Sequence, residues 1–439
     1  MAVLARKSSN VSSLQYPVIF IVTLLTLFTF TVSAPLIPRS LVKQNMTESA
    51  DYMVEQGTAH MSLDFYHGSF LDYYADSITL SIAYHLDEDH PVSSSMWANY
   101  YGVSTNVMPE YLQESVRNNL ETNMEYMRYW HGSASLMRIL HVLWNVKQIF
   151  LFHSILIAGL LAALLFFLWR NNLKAEAVCY MISVIAVNVW FVPLCLEYTY
   201  TILIMLIASI IAWKMSQEKK THLIGPFFLI TGMVTVYFDF LTAETLTLLI
   251  PLLLILRIRS KNGSQQWTTD YLLVLKSGVL WAIGYIGMWI SKWVLAALIL
   301  RQNMLPFIGE HIAERLDGDV VPGMRPEHYI IEAIQRNLKC LFPYEFGISG
   351  AVLVFFLIVL LILPVFLNKV RIKKEISKGI ILLFGILALL PFLRFAVLHN
   401  HAYRHYVFTH RALAATVLAI CFIVLELVER VPEGRTVDV

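Results

Sequence analysis

Long apolar runs alternate along the chain with short basic or mixed segments. The first covers 17–37, and others follow near 149–169, 175–194, 199–213, 223–240 and 241–256. Four more lie near 271–298, 347–367, 379–398 and 408–428. About 20 apolar residues cross a hydrocarbon core, so the stretches from Ala175 to Trp213 and from Leu223 to Leu256 each divide into two short spans, with Glu197–Tyr198 and Asp239–Glu244 at the reversals. The pattern predicts an all-α polytopic membrane bundle of about ten transmembrane helices. It reads as one integral membrane domain over 1–439. The first run follows Arg6 and Lys7 and is longer than a signal-peptide core, and Ser33-Ala34-Pro35 is a weak cleavage site, so it is read as an uncleaved helix.

Lysine and arginine fix the expected orientation. Arg170 and Lys174, then Lys214, Lys219 and Lys220, then Arg257, Arg259 and Lys261, then the group from Lys369 to Lys378 fill alternate loops. Ten spans put all of these in the cytoplasm with both termini. The opposite side of what is expected to be a plasma membrane then receives 38–146, 301–346 and the short loop after His399. The first of these is acidic and aromatic and carries helical stripes. Leu71, Ala75, Ile78 and Ile82 form one face beside Asp72, Asp76 and Thr79, and Leu112, Val116, Leu120, Met124 and Met127 form another. Both are expected to lie on the membrane or on the bundle as amphipathic helices.

A chain that is 57% hydrophobic and 15% charged is too apolar for a soluble domain of 439 residues. Its net charge of +2 gives no reason to expect nucleic acid. Four cysteines, three of them in or at the end of apolar helices, make neither a disulfide framework nor a zinc spacing. No phosphate-binding glycine loop, dinucleotide fingerprint or metalloprotease helix occurs.

The candidate chemistry gathers on the non-cytoplasmic side. Asp72 and Asp76, one turn apart, raise each other's pKa and suit a general base, with a divalent cation (Mg or Mn) as the one cofactor they suggest. Tyr66, His67 and Tyr73 surround them as substrate-binding candidates, with Asp64 a third acid; an ordinary solvated helix face is the competing explanation. The segment HNHAYRHYVFTHR supplies His399, His401, Arg404, His405, His410 and Arg411, a cationic cluster fit for a lipid phosphate or for anchoring among headgroups. Lys292 and Arg394 lie in the outer halves of their spans, where a charge faces a cavity or snorkels. Lys292 joins the phosphate-binding candidates. Asp239, Glu244 and His131 of the RYWHG segment complete the substrate-binding set.

With these acids and this layout, the chain resembles the GT-C superfamily of membrane glycosyltransferases. The resemblance implies a long first outer loop holding an acidic residue, here Asp72 or Asp76, and a polyprenyl-phosphate-sugar donor near Lys292 and the His399–Arg411 cluster. The acceptor would be a glycan, lipid or protein. The phrases LDYYADS, RYWHG, YFDFLT and HNHAYRHYVFTHR also look like an uncharacterised family of bacterial polytopic proteins, which implies a bacterial cell envelope. Two other expectations compete. A transporter or flippase would run a path through Lys292, Arg394, Asp239 and Glu244, though no internal repeat supports it. An envelope or assembly protein would use the outer segment for binding alone.

Overall fold

The computed structural model describes residues 15–430 except 63–65, 104–106, 265, 307, 310–312, 314–317, 320–323, 354 and 357–369. Asp64 and most of the 347–367 run lie outside the described residues. Among the described residues the fold is helical, with two small antiparallel strand pairs. Seven helical segments among the described residues are long and apolar enough to cross a membrane, so the chain is a multi-pass membrane protein. They start with α1 (Gln15–Ser33, continued by a short 3-10 turn), α7 (Val146–Arg170), α9 (Leu196–Gln217) and α10 (Ile224–Phe238). The remaining three are α12 (Trp267–Leu300), α14 (Lys378–Val397) and the segment ending in α17 (Ala414–Leu427).

The expected run at 175–194 forms α8 (Lys174–Ala186) and a 3-10 turn rather than one spanning helix, because Asn188 adopts a left-handed conformation and Pro193 follows. The run at 241–256 forms the 16-residue α11 (Leu246–Lys261), starting late because Asp239 to Thr245 make a turn.

Residues between α1 and α7 build a layer on one end of the bundle, the loop face. It contains α2 (Arg39–Gln56), α3 (Tyr73–His85), α4 (Pro91–Trp97), α5 (Met108–Asn118) and α6 (Gly132–Leu140). The strands β1 (His60–Met61) and β2 (Phe70–Leu71) close the approach to α3. α3 lacks the exposed polar face expected of an amphipathic helix lying on the membrane or on the bundle. It is buried on nearly every side, because α2, α5, α6 and α9 surround it. The second stripe is helical only through Asn118; Asn119 turns left-handed, and the following strip pairs Met124 with Tyr100.

The basic loops gather at the other end. There Arg257 of α11 bridges Glu176 of α8 at 3.0 Å and also bonds Glu426 of α17. Lys261 and Lys373 flank the two carboxylates at 3.4 and 3.5 Å. Strand β3 (Val370–Ile372) pairs with β4 (Val428–Arg430) beside them. Within the bundle α10 and α12 touch backbone to backbone: a Cβ on Gly232 would stand 2.2 Å from Trp281 O, and one on Gly284 2.2 Å from Leu229 O. Small residues give membrane helices this approach, which compensates for the absence of a hydrophobic drive between helices in lipid.

Removing one partner of a buried charge network strands the others. Arg257→Met should therefore destabilise the protein by about 3–5 kcal/mol, read as an earlier thermal aggregation midpoint in detergent; an unchanged midpoint would contradict the network's structural weight.

Candidate functional site

Asp72 is the N-cap of α3, its Oδ1 accepting from the Ala75 backbone N–H at 3.1 Å. Capping fixes its rotamer and leaves the carboxylate on the wall of a cavity of about 220 Å³ at the loop face. Burial pushes its pKa up to about 6. Along the α3 wall follow Tyr74, Ala75, Ile78 and Thr79, then Tyr126, Arg128 and Tyr129 from the strip before α6. Glu197 in the first turn of α9 and Phe240 in the α10–α11 turn close two further sides. The last wall is cationic: His401 and Arg404 of α15 (His399–Arg404), His405, and Phe408 of α16 (Tyr406–Thr409).

That last wall is held from behind by α13 (Tyr329–Lys339). Asn337 donates to Ala402 O at 2.9 Å and accepts from Thr409 Oγ1 at 2.6 Å, and Arg336 donates to Tyr403 O at 3.0 Å. The Arg336 guanidinium also lies 4.2 Å from the ring centres of Tyr403 and Tyr406. Rings of His401 and His405 stand 4.7 Å apart, and His405 stacks on Phe408. The 38–146 and 399–411 segments, far apart in the chain, thus face each other across one space.

Asp76 does not share that space. It is fully buried, and its carboxylate accepts from the backbone N–H groups of Leu196 and Glu197 at 2.8 and 3.0 Å and from Cys195 Sγ at 3.4 Å. These amides head α9 and have no partner within the helix, so an acid there both satisfies them and meets the positive end of the helix dipole. Burial pushes the Asp76 pKa up to about 7 against these donors.

Several other candidates are also structural. Lys292, placed by sequence beside a donor phosphate, is buried with Nζ donating to Ser95 O and Met96 O at 3.3 and 2.9 Å, where it closes the end of α4. Arg411 is buried against the Tyr198 ring, 4.2 Å from its centre, and His410 bonds Tyr406 O at 3.1 Å. His399 packs edge-on to Tyr329. Tyr73 belongs to the core with Tyr52 and Phe150, Tyr66 bonds Asn188, and His67 lies near Tyr406. His131, left-handed at φ 56°, bonds Tyr126 O at 2.7 Å and shapes the strip that carries Arg128; burial pushes its pKa down to about 3, so it is neutral. Asp239 caps its own turn, accepting from Leu241 N at 2.8 Å and Thr201 Oγ1 at 2.7 Å.

Glu244 pairs with Arg394, Nε to Oε1 at 2.9 Å, on the wall of a second space. This groove, about 960 Å³, runs between α11, α12 and α14 and is lined by Leu248, Leu249, Trp281, Ala282, Tyr285, Ile286, Trp289, Ile290, Trp293, Leu390, Leu393, Val397 and Leu398. Arg128 and Tyr129 line both spaces.

No known protein family, curated protein or solved structure matches the chain. The site therefore rests on its own chemistry. Arg128 and Glu197 are the charged cavity residues that sequence reasoning did not select, and Tyr126, Tyr129, Phe240 and Phe408 escaped it as well. Arg128 stood in the noted RYWHG phrase, and Glu197 was read only as a reversal marker. Among the described residues no three His, Cys, Asp or Glu side chains gather to hold a metal ion; Asp72 and Glu197 are the carboxylates in the cavity that a divalent cation would meet.

Asp76→Ala orphans two buried amides at about 1–3 kcal/mol each. It should lower stability by about 2–6 kcal/mol in a thermal-shift measurement, whereas Asp72→Asn should leave stability within about 0.5 kcal/mol of wild type. Equal losses for the two variants would contradict this division of roles.

Proposed function

We propose that this protein is a GT-C-like glycosyltransferase that moves a sugar from a polyprenyl-phosphate carrier to an acceptor hydroxyl on a glycan, lipid or protein. The observation that carries the reading is one cavity with the Asp72 carboxylate on one wall and His401, Arg404, His405 and Arg128 on the others. In this account the loop face lies outside a bacterial plasma membrane and the basic loops lie in the cytoplasm.

The acceptor oxygen attacks the anomeric carbon as the bond from that carbon to the phosphate oxygen breaks. Asp72 takes the hydroxyl proton, and the electron pair leaves with the carrier phosphate, whose growing charge meets the guanidinium groups and imidazoles. A general base works best when its pKa lies near the operating pH, which the burial of Asp72 brings about. Cations fixed before the reaction stabilise departing charge without reorganising. Tyr74, Tyr126 and Tyr129 offer ring faces and hydroxyls for the sugar. Asp76 acts at one remove, seating Glu197 and the start of α9 so that the wall opposite Asp72 stays in place.

Asp72→Asn should lower transfer by about 100- to 10,000-fold in membranes supplied with a polyprenyl-phosphate-sugar donor, with normal expression. Wild-type kcat/KM should fall as pH drops below about 6, because Asp72 must be ionised to accept the proton. Arg404→Ala should reduce transfer without moving that limb. Unimpaired transfer in Asp72→Asn would remove the proposed base.

A further inference from the structure

The charges around the polar cavity are sorted by depth. Arg404 is exposed at its mouth, whereas Glu197 reaches it from the first turn of α9 and is only 8% exposed. Tyr129, His401 and Phe408 are likewise buried and line the same space, so with Glu197 they form its floor. A carboxylate held this far from water is costly unless something compensates it. The turn that carries Glu197 lies at the positive end of the α9 dipole, and Asp76 holds its backbone N–H at 3.0 Å. Behind the wall, the buried Arg411 guanidinium stacks on Tyr198, the next residue, and its charge acts on Glu197.

An acid at the floor repels a phosphate and attracts hydroxyl groups. The two oxygens of one carboxylate accept from two neighbouring hydroxyls at once, and the rings of Tyr129 and Phe408 offer apolar faces to the C–H surface of a sugar. The phosphate of the same molecule is left to the mouth, with Arg404 and His405. The cavity holds about 220 Å³, below the about 300–1,000 Å³ of pockets for drug-sized ligands, which limits the floor to a single sugar ring. The two acids then differ in task. Asp72, brought by burial to about 6, exchanges a proton, and Glu197 holds the sugar.

We propose that Glu197 is the sugar-selecting residue of this cavity: its carboxylate accepts from two adjacent hydroxyls of an uncharged monosaccharide on the floor, with the carrier phosphate at the Arg404 mouth. The proposal takes its donor from the transfer function proposed for this cavity, but it concerns binding and is measured without turnover. A uronic acid in the same seat brings a third carboxylate against Asp72 and Glu197 and is rejected.

The test is native mass spectrometry of the full chain in mild detergent. The protein is titrated with undecaprenyl phosphate alone and with the same carrier bearing glucose, galactose, mannose or glucuronic acid. In wild type the best uncharged sugar should bind about 10- to 100-fold tighter than the sugar-free carrier, and the glucuronic acid donor no tighter than that carrier. Glu197→Ala keeps the backbone N–H on Asp76 and should lose the advantage while still binding the carrier. Arg404→Ala should weaken carrier and donors together and preserve their ratio. An advantage that survives in Glu197→Ala would overturn the assignment, as would no advantage in wild type or a preference for glucuronic acid. The glucuronic acid comparison needs no variant, so it decides the matter even where Glu197→Ala does not fold. Asp72→Asn separates the two proposals: it should keep the sugar preference and lose transfer. Full transfer in Asp72→Asn, with the preference still dependent on Glu197, removes the base and leaves the sugar seat standing.

Discussion

Two backbone amides at the head of α9 need a partner, and the Asp76 carboxylate supplies it. This contact ties the loop-face layer to the bundle at the point where the candidate site is built. With Asp76 fixed, Asp72 one turn earlier is directed into the cavity, and Glu197, whose own amide is held, enters from the other side. The pair therefore divides its labour: one acid spends its lone pairs on the fold, and its neighbour keeps its carboxylate on the cavity wall. Burial raises both, but the environments differ in what they offer a proton. Asp72 faces an open space, whereas Asp76 faces only donors.

Most ionisable side chains in and around the bundle follow the same economy. Lys292 closes a short helix, Asp239 caps a turn, and Arg257 joins three helices at the basic end. Charges at membrane depth are costly unless paired, and in this chain the pairing is largely structural. That weakens a path through Lys292 and Asp239 as a transport route. It also isolates the cavity at the loop face, where His401, Arg404, His405 and Arg128 stand around Asp72.

The membrane character and the clustering of basic loops at one end were legible because hydrophobic run length and charge position report them directly. So was the meeting of Asp72 with the 399–411 segment, since both were assigned to one side of the membrane. The division between Asp72 and Asp76 was not legible. Helical spacing puts both on neighbouring stripes, and only the arrival of α9, more than a hundred residues later, decides which is buried. Lys292 misled for a similar reason, because depth in a span does not reveal which carbonyls lie nearby. Glu197 and the scaffold role of Asn337 and Arg336 depend on contacts across the chain and left no local pattern. The short α8 and late start of α11 reflect turn geometry at Asn188 and Asp239, which overrides hydropathy.

The central claim is spatial: the start of α3 and the His401–His405 segment border one cavity at the same end of the bundle. Cysteines placed at Thr79 and Arg404, in a chain whose four native cysteines have been replaced, test it directly. Both side chains line the cavity, so a short bifunctional thiol reagent should link them within one chain, giving a product in which the two peptides remain joined after proteolysis. Failure to link while each cysteine reacts singly with the same thiol chemistry would contradict the account.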